Sequence, residues 1–188
     1  MTNLPKIILA SASPRRAEIL RTIGWPFDAV AVHIDESRRP DESAADYVQR
    51  LAREKAETAA ALTVGLNVVG ADTTVVIDDQ ILEKPVDADD ARRMLEMLSG
   101  RWHKVLTGVA VVDRTSRETR VAYQETEVKF ASMSKDELDW YVAGGEPMDK
   151  AGGYAIQGQG ARFIEGIRGD FFNVVGLPVR LLSELFIG

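Results

Sequence analysis

The sequence predicts a single mixed α/β domain, and three observations predict it. Short apolar runs of strand type alternate with longer runs of helical spacing along the whole chain. Two helix starts carry side-chain signals, Ser43 with Asp46 and Ser134 with Glu137, each in capping-box spacing. With 188 residues, 45% of them hydrophobic, the chain can bury a full core without covalent staples.

The elements follow in order. KIILA (6–10) reads as a first strand and AEILRTIG (17–24) as a helix, so the serines, proline and paired arginines of SASPRR fall where strand hands over to helix. FDAVAVHI (27–34) reads as a second strand, followed by the polar loop DESRRPDE (35–42). An Ala-rich helix opens at Ser43 and runs to about Leu62. Two apolar, β-branched runs, 67–71 and 73–77, flank Asp72, and Asp78-Asp79 marks a turn. An amphipathic helix over 87–98 sets Ala91, Met94, Leu95 and Leu98 on one face, with Gly100 just beyond it. Segments 105–112 and 121–130 form two long strands around a polar turn. The helix opened by Ser134 ends at Gly144-Gly145, a glycine-rich stretch runs from 152 to 176, and Pro178 opens a terminal helix. No internal repeat or linker interrupts this order.

Composition narrows the chemistry. The chain has no cysteine, which excludes disulfides, thiolate nucleophiles and Cys-type zinc sites. Its two histidines, His33 and His103, leave a hard cation held by carboxylates as the expected metal class. A net charge of −6 with dispersed basic residues argues against a stable nucleic-acid partner. No run approaches the ~20 apolar residues of a membrane span, and MTNLPK does not open a signal peptide. The expected location is cytoplasmic.

Five places carry polar groups suited to a site. In SASPRR, Ser13 suits an N-cap and Pro14 the first helical position, with Ser11 in the same loop. Arg15 and Arg16 in the first turn oppose the helix dipole, by about 0.3–1 kcal/mol each, unless an anion or surface carboxylates answer them. Asp72 in GADTTVV is a carboxylate between apolar runs, either a strand-to-turn acid/base or metal position or an ordinary turn cap. Lys84 in LEKP sits between a strand end and a proline, placed to hold a phosphate as a point charge or simply solvated. Glu36 lies in the polar loop and Lys55 on the Ala-rich helix, where local ion pairing is the ordinary explanation. In DKAGGYAIQG (149–158), Tyr154 has the ring to stack on a base and Gln157 the amide to read one. Alternatively, the segment is an interlocked glycine loop around a buried tyrosine.

Seven segments, SASPRRAEIL, VQRLAREKA, GADTTVV, LEKP, LSGRWHKVLTGV, DKAGGYAIQG and NVVGLP, occur in this order over nearly the full length. On them the chain resembles the Maf family of nucleoside triphosphate pyrophosphatases, and DKAGGYAIQG is similar to the branch acting on dTTP and UTP. The branch acting on 7-methyl-GTP lacks the Asp-Lys start and this Gln. Small departures are Ala12 and Ala155, where glycine is commoner, and Phe171-Phe172-Asn173.

The resemblance implies an elongated mixed β-sheet flanked by helices, of Maf/ITPase type, with two lobes around a central cleft in one domain. It implies hydrolysis to a nucleoside monophosphate and pyrophosphate with Mg2+, Mn2+ or Co2+, extended to modified pyrimidine nucleotides as pool house-cleaning. Asp72 would be the catalytic carboxylate, as base, metal ligand or both, and Glu36 would help hold the metal. Ser11, Arg16, Lys55 and Lys84 would face the triphosphate, while Arg15, Thr73 and Gln157 would set base preference. A homodimer is expected from the same resemblance. The competing readings are a non-catalytic, nucleotide-sensing regulator of septum formation and a 7-methyl-GTP pyrophosphatase.

Overall fold

The computed structural model describes residues 4–187. Met1 to Asn3, part of the segment read for a signal peptide, and Gly188 lie outside the described residues. The chain runs β1 (Ile7–Ala10), α1 (Pro14–Thr22), β2 (Phe27–Ala29), α2 (Ala44–Leu62), β3 (Asn67–Ile77), β4 (Gln80–Leu82) and α3 (Ala88–Leu98). It continues through β5 (Trp102–Val112), β6 (Thr119–Phe130), α4 (Lys135–Ala143), three short 3-10 turns, β7 (Ile164–Arg168), α5 (Phe171–Val175) and α6 (Val179–Ile187). The seven strands make one mixed sheet in the order β2-β1-β3-β5-β6-β7, with β4 paired to β3. β1 pairs in parallel with both β2 and β3, whereas β3–β4 and β6–β7 are antiparallel. The mixed α/β class is as the sequence predicts.

Local chemistry sets the element ends. Ser43 and Asp87 accept the N–H groups of Asp46 and Asp90, and Ser134 with Glu137 completes a reciprocal capping box. Asp78 and Asp79 have φ of 49° and 60°, the left-handed pair that a two-residue hairpin turn between β3 and β4 requires.

Three expectations are corrected. β2 stops at Ala29 rather than reaching Ile34, because it is an edge strand whose partner β1 ends at Ala10. Asp72 does not separate two strands; it lies inside one strand of 11 residues. The pairing of β3 with β1 stops at Gly70 and that with β4 begins at Val75, so Asp72 occupies the interval between two ladders. The glycine-rich stretch contains a strand, β7, and the short α5, whose signals glycine spacing obscured.

The chain divides into two compact units. The first comprises Met1–Asp72, Thr107–Gln124 and Gly176–Gly188, and the second Thr73–Leu106 and Glu125–Val175. In the first, Ile8, Ala10 and Val68 pack with Ala52, Ala56, Ala59 and Ala60 of α2. The alanines matter because α2 crosses the sheet at very short range. A Cβ on Gly70 would stand 2.2 Å from the carbonyl oxygen of Ala52, and one on Gly108 2.2 Å from that of Val48. In the second unit a larger cluster joins Val75, Leu82, Leu95, Leu98, Val105, Phe130, Tyr141, Tyr154 and Phe163.

Candidate active site

The close seating of α2 on β3 sets Lys55 against Asp72. Lys55 Nζ lies 2.6 Å from Asp72 Oδ1 and 2.6 Å from Glu36 Oε1. Both Lys55 and Asp72 are largely withdrawn from water, whereas the Glu36 side chain is half exposed. Burial pushes the Asp72 carboxyl up, against the opposing pull of Lys55 and Arg16. The helical ion pairs expected along α2 are made by Arg50 with Glu54 and Arg53 with Glu57, whereas Lys55 pairs with carboxylates outside the helix.

The strand-to-helix turn is organised by Ser11. Its Oγ accepts the Ser13 N–H at 3.1 Å and Arg16 Nη1 at 3.2 Å. Ser13 sits at the N-cap position of α1, but its side chain makes no capping bond, contrary to expectation. Pro14 begins the helix as predicted. Arg16 Nε donates to the Gly176 carbonyl at 2.8 Å, so the cationic first turn is tied to the chain's last segment. Burial lowers the Arg16 pKa while Asp72 and Glu36 raise it. Arg15 is half-buried beside it on the same turn.

The first unit therefore brings together Lys55, Asp72 and Glu36, with Ser11 and Arg16 bonded to each other and Arg16 within electrostatic reach of both carboxylates. Thr73, Lys84 and Gln157 belong to the second unit. Thr73 is half-buried, while Lys84 and Gln157 are exposed. Tyr154 is not available to stack on a base: it is 6% exposed, with its hydroxyl 2.7 Å from His103 Nε2 and its ring edge-on to Phe130. The buried-tyrosine reading of that loop holds.

A family model described as "Maf-like protein" matches residues 6–187. The chain belongs to the Maf family. It is similar to proteins named "dTTP/UTP pyrophosphatase" at nearly full length. That from Syntrophus aciditrophicus is 49% identical over 179 residues, 95% of this chain and 87% of the relative. That from Symbiobacterium thermophilum is 49% identical over 182 residues, 97% and 93%. The Salmonella typhimurium protein is 49% identical over 180 residues, 95% and 90%. Among solved structures, the Staphylococcus aureus Ham1 protein aligns over 97% of this chain and 98% of its own, at 14% identity and a TM-score of 0.49, and assigns nothing.

Several residues of this Maf chain that hold the site in place carry no local signal in the sequence. Tyr47 Oη donates to the Glu36 carbonyl at 2.9 Å, and Arg50 ties Glu42 and the Ser37 carbonyl. Together they fix the polar loop that presents Glu36. The Gly176 carbonyl stands 160 positions from its donor Arg16, beyond the reach of any local pattern.

Proposed function

We propose that this Maf family chain hydrolyses dTTP and UTP to the nucleoside monophosphate and pyrophosphate, clearing excess or modified pyrimidine nucleotides in the cytoplasm. The reading is carried by a buried Asp72 carboxylate held 2.6 Å from Lys55, in a chain 49% identical to proteins bearing that activity in their names. No described helix is long and apolar enough to cross a membrane.

A divalent cation is compatible with these residues. Glu36 and Asp72 converge on one ammonium, so both carboxylates already face a shared cation position. Among the described residues no group of three His, Cys, Asp or Glu side chains is placed to hold a metal. Two carboxylates with substrate phosphates completing the shell is a usual arrangement for Mg2+. When bound, such an ion supplies charge neutralisation on the phosphate oxygens.

The chain's own residues supply the rest. Asp72 Oδ1 is occupied by Lys55, which leaves Oδ2 to take the proton of the attacking water. The water oxygen bonds to the α-phosphorus as the bond to the α–β bridging oxygen breaks, and pyrophosphate leaves with that oxygen. Arg16, Lys55 and Lys84 answer the charge of the triphosphate, and Ser11 holds Arg16 in its rotamer. Arg15, Thr73 and Gln157 contribute base preference. A homodimer belongs to the same reading and is checked by sedimentation.

The test is pyrophosphate release from dTTP and UTP with Mg2+, beside 7-methyl-GTP and ATP, with a chelator control. Release from the two pyrimidine nucleotides supports the reading. Binding of dTTP without turnover overturns it in favour of a nucleotide-sensing regulator. Preference for 7-methyl-GTP overturns the substrate class.

A further inference from the structure

The tight turn that presents Gln157 is fastened on both sides to two residues outside it. The turn closes from the Ala155 carbonyl to the Gly158 N–H at 3.3 Å, with Gln157 near its tip. On the leading side, the Ala155 N–H donates to Tyr141 Oη at 3.2 Å. On the trailing side, Glu146 Oε2 accepts the Gln159 N–H at 2.9 Å and Oε1 accepts the Gly160 N–H at 3.0 Å. Tyr141 Oη donates to Glu146 Oε1 at 2.7 Å, which joins the two anchors into one. Burial pushes the Glu146 carboxyl up, but bonds from the Gln159 N–H, the Tyr141 hydroxyl and the Gly160 N–H, with the Lys150 charge, outweigh it and keep the carboxyl below its usual range.

The packing around this carboxylate leaves no slack. A Cβ on Gly158 would stand 2.2 Å from Glu146 Oε2, and one on Gly160 2.6 Å from Tyr141 Oη. Gly158 has φ of −119°, outside the left-handed region, and the three atoms nearest to a Cβ there all belong to the Glu146 carboxylate. Gln157, by contrast, is exposed and makes no hydrogen bond to any described residue. A rigid frame around one uncommitted amide is the arrangement expected of a side chain that reads a ligand, because order fixed beforehand is not lost on binding.

We infer that Glu146, with Tyr141, is a positioning residue for base selection: it clamps the turn 155–158 so that the Gln157 amide meets the pyrimidine base in one orientation. The inference rests on the proposed reading of Gln157 as a base contact. Glu146 touches neither phosphate nor base. It acts through the backbone on either side of Gln157.

The experiment measures kcat and KM for dTTP, UTP, CTP and GTP in Glu146→Gln, Gly158→Ala, Tyr141→Phe and Gln157→Ala, with amide hydrogen exchange over 155–161. Glu146→Gln removes one acceptor for a backbone N–H, and Gly158→Ala displaces the carboxylate while retaining it. Both are expected to raise KM for dTTP and UTP by about tenfold, the value of one charge-assisted hydrogen bond. Turnover stays within about twofold, and the nucleotide ratio shifts in the same direction as in Gln157→Ala. Exchange at Gln159 and Gly160 accelerates without loss of protection in β6. If Glu146→Gln fails to fold, Gly158→Ala carries the same expectation. Gln157→Ala shifting the ratio while Glu146→Gln and Gly158→Ala leave it unchanged overturns the clamp alone. An unchanged ratio in Gln157→Ala overturns the reading of Gln157 as the base contact, and the inference with it.

Discussion

Lys55 Nζ and Asp72 Oδ1 meet at 2.6 Å although one residue comes from α2 and the other from β3. The meeting is built by the backbone: α2 lies so low on the sheet that Gly70, two residues before Asp72, has no room for a Cβ. Lys55 is 9% exposed and meets a carboxylate two residues beyond the end of the ladder between β1 and β3. The ammonium opposes burial, which on balance still pushes the Asp72 carboxyl above its usual range.

Removing the ammonium leaves that carboxylate uncompensated. Lys55→Met is expected to destabilise the fold by about 3 kcal/mol, the usual loss when one partner of a buried pair is deleted. Adding Asp72→Asn to Lys55→Met should recover most of it, since the unpaired charge disappears. Urea melts of the two single variants and the double variant give the coupling. Additive losses would mean the pair is not an energetic unit.

Asp72→Asn tests the proton acceptor directly. The amide preserves shape and can still face Lys55, but it cannot take a proton at neutral pH. Turnover of dTTP is expected to fall about 10²–10⁴-fold, the range for losing a general base, with KM changed only a few-fold. Steady-state pyrophosphate release measures both. Turnover within tenfold of the wild type would remove Asp72 from the chemistry.

Gly70→Ala addresses the seating of the helix. The added methyl would stand 2.2 Å from the Ala52 carbonyl oxygen and 2.7 Å from the Ala56 nitrogen, neither of which can rotate away. A loss of about 2–3 kcal/mol is expected, at the upper end for overpacking. Activity should fall further than stability, because lifting α2 withdraws Lys55 from Asp72. Denaturant melts and pyrophosphate release on the same preparation separate the two effects.

How far the site was legible in the sequence differs residue by residue. The caps at Ser43 and Ser134 and the turn at Asp78-Asp79 are local, so short windows carry them. Of the short strands, β4 shows in the sequence only as the strand end before Lys84, and β7 gives no periodic signal because glycine interrupts it. For Lys55 and Glu36, neighbours along the chain pointed to ordinary helical ion pairs. Their actual partner is chosen by how α2 crosses β3, which no window contains. Ser13 looked the better N-cap by position, but Ser11 accepts the bonds because the loop folds its hydroxyl back over the turn. The clamp of Glu146 on residues 159 and 160 spans 13 and 14 positions and ends on backbone N–H groups, which carry no side-chain signature.

The acid limb of stability offers a prediction away from the active site. His103 is 3% exposed, edge-on to Phe130, with Nε2 against the Tyr154 hydroxyl at 2.7 Å and Nδ1 without a partner among the described residues. Burial pushes its pKa from the ordinary 6.5 down to about 3, so the folded protein holds it neutral. In the unfolded chain it protonates near 6.5. Its contribution to stability is therefore complete above that pH and is lost as pH falls toward 3, with a slope approaching ~1.4 kcal/mol per unit. By pH 5 the loss is about 2 kcal/mol. The Glu42–Arg50 pair adds to the acid limb only lower down, because the bonds from Arg50 hold Glu42 at about 2 and its window opens below 4.5. His103→Gln keeps a polar partner for Tyr154 but cannot titrate. Between pH 7 and 5 its stability is expected to stay nearly level against that of the wild type, whatever the variant costs at pH 7. Urea melts at half-unit intervals read the two slopes, and parallel curves would exclude His103 as the source.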